Sequence, residues 1–494
     1  MFKALQKYKF FILIALFFLL LRIPSLFEPA WYGDEGIYLT IGEGLNKGLN
    51  LYTQIHDNKP PTLYFLAAIS HTVFGFRLLL LLSMAITVYC FNLLAKKFLE
   101  PKIIKIALIL FVFLTSIPFI EGTIANAEIF MLLPTILGVL IFLNAKKTRD
   151  YFLSAFILGL AFTIKMPVLF ECIFLTIFLA LEKFDLISRF NLKNIFSKRI
   201  KNIPILIGFL ISFSIPILAW GIYYYFHQAL SLFISASLMQ NFSYLSSWST
   251  GNQSSSLASG GLINRLIILI LAWLVIYVLL IKKVIDKKIA FLLFWFGTTI
   301  FAALLSGRPY PHYLIQTLPS LCLVIGAIFS KSYKIIAKAI LVLSVAFLVF
   351  VFWKFNFYSY PTTAYYKNFY SYALGQKSQA NYYSFFGSGV QRIYDISNYV
   401  KENTAENEKI FLWGDESFIY SLSDRLPVGR FTVAYHIVDF NAYNVTISQL
   451  KNTPPKLIIY YQMNGRPFQE LDNLIKEYYY PAKAFDSVII YKLK

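Results

Sequence analysis

Asp34 and Glu35 stand side by side in WYGDEGIYLTIGEGLNKGLNLYTQIHDNKPPTLYF (residues 31–65), and Lys59 follows directly before Pro60 and Pro61. A carboxylate partly withdrawn from water holds its proton more tightly and can take one from a hydroxyl as a general base. A lysine before two prolines is held in an extended, rigid segment, because Pro fixes its own φ and pushes its neighbour out of the helical region. A cation fixed in that way at a membrane face suits a lipid phosphate. The plainer alternatives are a solvated acid pair, and a lysine that snorkels or pairs with Asp57. Asp57 and His56, just before Lys59, join it as candidate binding residues.

Further groups of the same kind recur downstream. IPFIEGTIANAEIF carries Glu121 and Glu128 with Asn126 between them, TIKMPV places Lys165 beside a proline, and SGRPYPHYLIQTLP holds Arg308, Tyr310, His312 and Tyr313. Glu28, Glu43 and Lys47 read as solvated loop charges. The three cysteines, Cys90, Cys172 and Cys322, lie in apolar runs without metal-type or disulfide spacing and read as core or lipid-facing residues.

The elements that must position these residues follow from composition. The 494-residue chain is 58% hydrophobic and only 14% charged, with a mean hydropathy of +0.61, whereas soluble domains carry about a quarter charged residues. That is a polytopic α-helical membrane protein. The net charge of +20 sits in short clusters between apolar runs, so topology explains it better than nucleic-acid binding. Apolar runs of spanning length predict eleven spans, near 9–24, 77–95, 104–119, 128–144, 150–164, 167–182, 203–222, 263–281, 289–306, 312–330 and 336–354. The first reads as an uncleaved helix rather than a signal peptide, because no small-x-small cleavage site follows it.

Alternate loops hold most of the lysines and arginines, which puts the N-terminus inside. The 31–65 loop, Glu121, Glu128, Lys165 and the RPYPHY loop then share the outer face. Asp34 and Glu35, with apolar Ile37, Leu39, Ile41 and Leu45 after them, open what reads as a short amphipathic helix at the interface. Residues 1–355 are expected to form the membrane domain and 356–387 a linker. Residues 388–494 are expected as a small extracytoplasmic α/β domain, with strands in KIFLWG, KLIIYY and SVIIYKLK and helices over 388–404 and 466–480. The Ser/Gly-rich part of the long loop 223–262 reads either as a substrate gate or as a plain linker.

The chain resembles the GT-C glycosyltransferases that use polyprenyl-phosphate sugars, in the branch of protein O-mannosyltransferases and lipid A aminoarabinose transferases (family 39-like). The marks are, in order, DEGIY, LNLYTQIHDNKPPTLYFLAAISHTVFG, the Glu128 region, GLAFTIKMP and PHYLIQTLP, covering roughly residues 1–355. The resemblance implies inverting transfer of a sugar to an acceptor hydroxyl of a protein, lipid or cell-surface glycan on the outer face. It makes Asp34 the base, with Glu35 orienting it or binding sugar, and Lys59 the contact to the donor phosphate. Lys165 and Arg308 would help neutralise that phosphate. Glu128, with Glu121 as alternative, would position acceptor or sugar, and His312 and Tyr313 would line the donor pocket. No metal or other cofactor is expected to be required; a divalent cation between Asp34 and Glu128 is the alternative. A transporter or flippase, and an enzyme moving a whole lipid-linked glycan, are the rival functions.

Overall fold

The computed structural model describes residues 2–186, 192–243, 256–462 and 465–494. In hydrocarbon, backbone N–H and C=O groups have no partners but each other, and a helix pairs them all within one segment. Each of the eleven expected spans is indeed helical. Seven are long and apolar enough to cross a membrane: Lys9–Leu26, Val73–Ala95, Ala127–Asn144, Asn202–Phe226, Gly261–Ile281, Pro311–Phe329 and Ile335–Lys354. The other four, Pro101–Ser116, Thr148–Phe162, Leu169–Lys183 and Lys287–Ala303, are shorter. Asn202–Phe226 and Gly261–Ile281 expose Ile211, Leu218, Ile222, Ile268, Leu271 and Val275. Aliphatic side chains left uncovered in that number belong against lipid, and the chain is a polytopic membrane protein.

The chain divides into two compact units. The first comprises Met1–Ile23, Leu80–Ile222 and Gln240–Thr362. Its helices pack through aromatic contacts such as the Phe91–Phe111 stack at 4.0 Å and the group Phe174, Phe178, Phe291 and Trp295.

The second unit comprises Pro24–Leu79, Tyr223–Met239 and Thr363–Lys494. It holds helices Gly33–Asn46 and Thr62–Ser70 together with a four-stranded sheet, β1 (Ile410–Trp413), β2 (Leu457–Tyr461), β3 (Tyr479–Phe485) and β4 (Val488–Leu493). The strand order is β1-β2-β4-β3, with β1 parallel to β2 and the other pairs antiparallel. Phe411, Trp413, Ile458, Phe468, Leu471 and Tyr479 form its core. The three expected strands correspond to β1, β2 and β4. The expected helix over 466–480 ends at Tyr478, and β3 begins there; Pro481 cannot sit inside a helix. Residues 356–387, expected as a linker, carry helices Thr362–Ala373 and Gln379–Tyr383 and the turn Ser384–Phe386. Residues 244–255, most of the Ser/Gly-rich gate or linker, lie outside the described residues.

Candidate active site

Asp34 and Glu35 occupy the first turn of helix Gly33–Asn46, where unpaired N–H groups and the helix dipole favour acids. The helix's apolar residues Ile37, Leu39 and Ile41 are buried within the second unit, against Thr62–Ser70 and Phe418–Ser423. Two glycines make that approach possible. A Cβ on Gly36 would lie 2.8 Å from Ser417 Oγ and 2.9 Å from Phe418 N, and one on Gly42 2.6 Å from Ala68 N. Thr40 Oγ1 adds a hydrogen bond to the Ser417 carbonyl at 2.9 Å.

The two neighbouring acids have opposite surroundings. Glu35 is buried and paired with Arg77: Nη2 lies 2.6 Å from Oε2, and Nε 3.3 and 3.2 Å from the two carboxylate oxygens. Arg77 also donates to the carbonyls of Glu28 (2.6 Å) and Pro29 (3.1 Å), so the pair pins the entry to the helix. Asp34 instead keeps 31% of its side chain exposed and accepts a hydrogen bond from Tyr38 Oη, one turn on, at 3.0 Å. Glu28 was expected to be solvated, yet it is buried and bonded to Trp31 Nε1 (2.8 Å) and Tyr365 Oη. Burial raises its pKa against the pull of Arg77.

Lys59 bridges two acids. Its Nζ lies 3.5 Å from Asp34 Oδ2, 3.6 Å from Asp57 Oδ2 and 4.9 Å over the Tyr38 ring, with 15% of the side chain exposed. The pairing with Asp57 raised by the sequence is present, and Lys59 reaches Asp34 as well. The segment is fixed on both sides, with Tyr52 Oη donating to the Lys59 carbonyl at 2.8 Å and the Lys59 N–H donating to Tyr64 Oη at 3.1 Å. Asp57 is buried and accepts from Tyr64 Oη and from the Asn58 N–H, each at 2.7 Å. Burial alone would raise its pKa, but Lys59, His436 and these hydrogen bonds outweigh it and hold the carboxyl at about 2. His56 is buried among the rings of Phe431, Phe440 and His436.

The first unit gathers the other candidates. Glu121 ends the turn Pro118–Ile120 in the left-handed region (φ 63°), a conformation unusual for a non-glycine residue and a mark of local constraint. Buried Arg22 fastens that turn by donating to the carbonyls of Thr115 (2.6 Å) and Gly122 (2.8 Å). His312 Nδ1 lies 2.5 Å from Glu121 Oε2, and its Nε2 3.8 Å from Glu128 Oε1. Lys165 Nζ meets Glu128 Oε1 at 2.7 Å and lies 5.7 Å over the Tyr313 ring. Tyr310 stacks parallel to His312 at 5.7 Å. Glu121, Glu128, Lys165, His312 and Tyr313 thus form one acid–base chain. Arg308 is half-buried nearby in sequence, its backbone N–H donating to Ser306 Oγ at 3.2 Å.

Three participants were not anticipated. Arg77 and the buried pair Glu171–Gln316 (Nε2 to the carboxylate oxygens at 2.8 and 2.7 Å) had a signal, since a lone ionisable residue in an apolar run needs a buried partner. His436, 3.5 Å from Asp57 Oδ1, had none. Among the described residues, no group of three or more His, Cys, Asp or Glu is placed to hold a metal ion.

No protein-family model matches the chain, and no curated protein does. Among solved structures it is similar to ArnT from Cupriavidus metallidurans bound to undecaprenyl phosphate, at 12% identity over 98% of both chains with a TM-score of 0.58. It is also similar to the apo state of ArnT, at 11% identity over 99% of this chain and 98% of that one with a TM-score of 0.54. The oligosaccharyltransferase of Archaeoglobus fulgidus with an inhibitory peptide and a dolichol-phosphate aligns over 99% of this chain and 75% of its own, at 13% identity and a TM-score of 0.48, too loose a likeness to carry an argument. On the likeness to ArnT, the chain has the GT-C fold.

Proposed function

We propose that the protein transfers a sugar from a polyprenyl-phosphate donor to an acceptor hydroxyl, with inversion, on the outer face of the membrane. The observation that carries this is the Asp34–Lys59 pair: an acid one-third exposed beside a cation whose charge is shared between Asp34 and the buried Asp57. In the reaction, Asp34 takes the acceptor hydroxyl proton, and the oxygen bonds to the anomeric carbon as the bond to the phosphate oxygen breaks. The electron pair leaves with the polyprenyl phosphate. One displacement needs one base and no second carboxylate as nucleophile.

Lys59 stabilises the negative charge gathering on the leaving phosphate, and a cation held in place before the reaction needs no reorganisation at that moment. Glu35 acts through Arg77 to hold the helix that presents Asp34. The first unit's own cluster of Glu128, Lys165, His312 and Tyr313, with Arg308, is a separate candidate for binding a charged or polar part of donor or acceptor. The outer-face assignment rests on the placement of lysines and arginines, and support for a lipid-phosphate donor comes from the shared fold with ArnT, which has been captured with undecaprenyl phosphate. No step uses a metal.

The test is incubation of purified protein in detergent with a panel of radiolabelled polyprenyl-phosphate sugars and hydroxyl acceptors, with the anomeric configuration of the product determined. Consumption of one donor with inversion is expected. Failure to bind or consume any donor, or retention of configuration, overturns the assignment.

A further inference from the structure

Asp57 has two differently occupied oxygens. Oδ2 faces Lys59 and Tyr64 Oη. Oδ1 takes the Asn58 N–H and faces a side chain from far along the sequence, His436 on helix Ala434–Asp439, whose Nε2 is 3.5 Å away. The imidazole is buried and walled by Tyr435 (4.5 Å between ring centroids), Phe440 (5.6 Å) and His56 (6.0 Å). The backbone joins the two segments at the same place, with the His56 N–H donating to the Arg430 carbonyl at 2.8 Å and His56 bridged to Phe431. A histidine is thus locked against an anion that shares Lys59 with Asp34.

We propose that His436 is a positioning residue of the Asp34–Lys59 site, supplied by the C-terminal segment: it backs Asp57 opposite Lys59 and sets how much of the Lys59 charge is free for a phosphate monoester. This rests on the assignment of Lys59 to the donor phosphate. The charged groups facing the imidazole are Asp57, Lys59, Asp439 and Asp34, with His56 beside it. Burial, reinforced by Lys59, holds the imidazole below its usual pKa against the upward pull of Asp57, Asp439 and Asp34. It is therefore neutral at pH 7. Protonation gives Asp57 a second counter-ion and loosens its claim on Lys59, so phosphate binds more tightly as the pH falls through that value.

The experiment measures undecaprenyl phosphate binding to the full chain in detergent from pH 8 to pH 5, for wild type, His436→Gln and His436→Asn. The asparagine variant serves if glutamine does not fit, and circular dichroism confirms folding. Taking the ratio of wild-type to variant affinity at each pH cancels the phosphate's own titration. One added charge at this range is expected to raise that ratio about threefold to tenfold as the imidazole gains its proton on the way down in pH. In parallel, competitive acylation of Lys59 read by mass spectrometry, without any lipid, is expected to show the wild-type to variant labelling ratio rising over the same interval. Flat ratios in both measurements overturn the proposal and leave His436 a packing residue. If the wild type binds no undecaprenyl phosphate at any pH, the assignment of Lys59 to the leaving phosphate fails, and the labelling ratio alone then decides whether His436 sets Lys59.

Discussion

Removal of the Glu35 carboxylate from Arg77 should be the most damaging single change in the entry to the candidate site. Both side chains are about 1% exposed, and Arg77 spends Nε and Nη2 on Glu35 while Nη1 and Nη2 reach the carbonyls of Glu28 and Pro29. Glu35→Ala leaves the two carbonyls and the more distant Glu28 carboxyl but removes the charge bonded to a buried guanidinium. Stranding one member of a buried ion pair costs about 3–5 kcal/mol. In a unit of roughly 200 residues, that lowers the unfolding midpoint by about 6–20 °C. The double variant Glu35→Leu with Arg77→Met removes both charges and should recover most of the loss, because replacing such a pair with apolar side chains is often close to neutral. Thermal unfolding in detergent, followed by far-UV circular dichroism, reads all three proteins. A Glu35→Ala midpoint within about 2 °C of wild type, or a double variant no more stable than Glu35→Ala, would refute the assignment of Glu35 to positioning.

Other outcomes follow from the same geometry. The Asp57 carboxyl sits at about 2 against an ordinary 3.8, so it contributes about 2 kcal/mol of stability above pH 4 that drains away as the pH falls from 4 through 2. The unfolding midpoint of Asp57→Asn should accordingly drop less than that of wild type between pH 5 and pH 3; equal drops would remove the charge network from the account. Gly42→Val pushes a side chain into the Ala67–Ala68 backbone and should destabilise the second unit by about 1–3 kcal/mol, measured by the same unfolding assay. Lys165→Met strands buried Glu128 and should cost about 3–5 kcal/mol. Adding Glu128→Gln should restore most of that stability without restoring sugar transfer, and a double variant with full turnover would exclude the pair from the reaction.

The two kinds of residue in the site differed in how far the sequence betrayed them. Among the described residues hydropathy located every helix of spanning length, because backbone pairing in hydrocarbon allows little else. Lys59 was recognisable from the prolines that stiffen its segment, and Asp34 from its place at a helix start between aromatics. What Glu35 does was hidden, since it depends on Arg77, 42 positions away. Arg77 itself carried a usable sign, a single charge in the apolar run VFGFRLLLLL. Glu28 was misjudged for the same reason: Tyr365 lies 337 positions away. His436 gave no sign at all, because neither spacing nor composition can bring Ala434–Asp439 to Asp57; only tertiary packing does.

The central claim is that Asp34 takes the acceptor proton while Lys59 holds the donor phosphate. With a donor that the wild type consumes, steady-state turnover and donor binding measured together on Asp34→Asn give the most direct test. We predict turnover lowered by about 10²–10⁴-fold with donor binding nearly unchanged, because Lys59 and Asp57 remain in place. Full turnover in Asp34→Asn would contradict the claim.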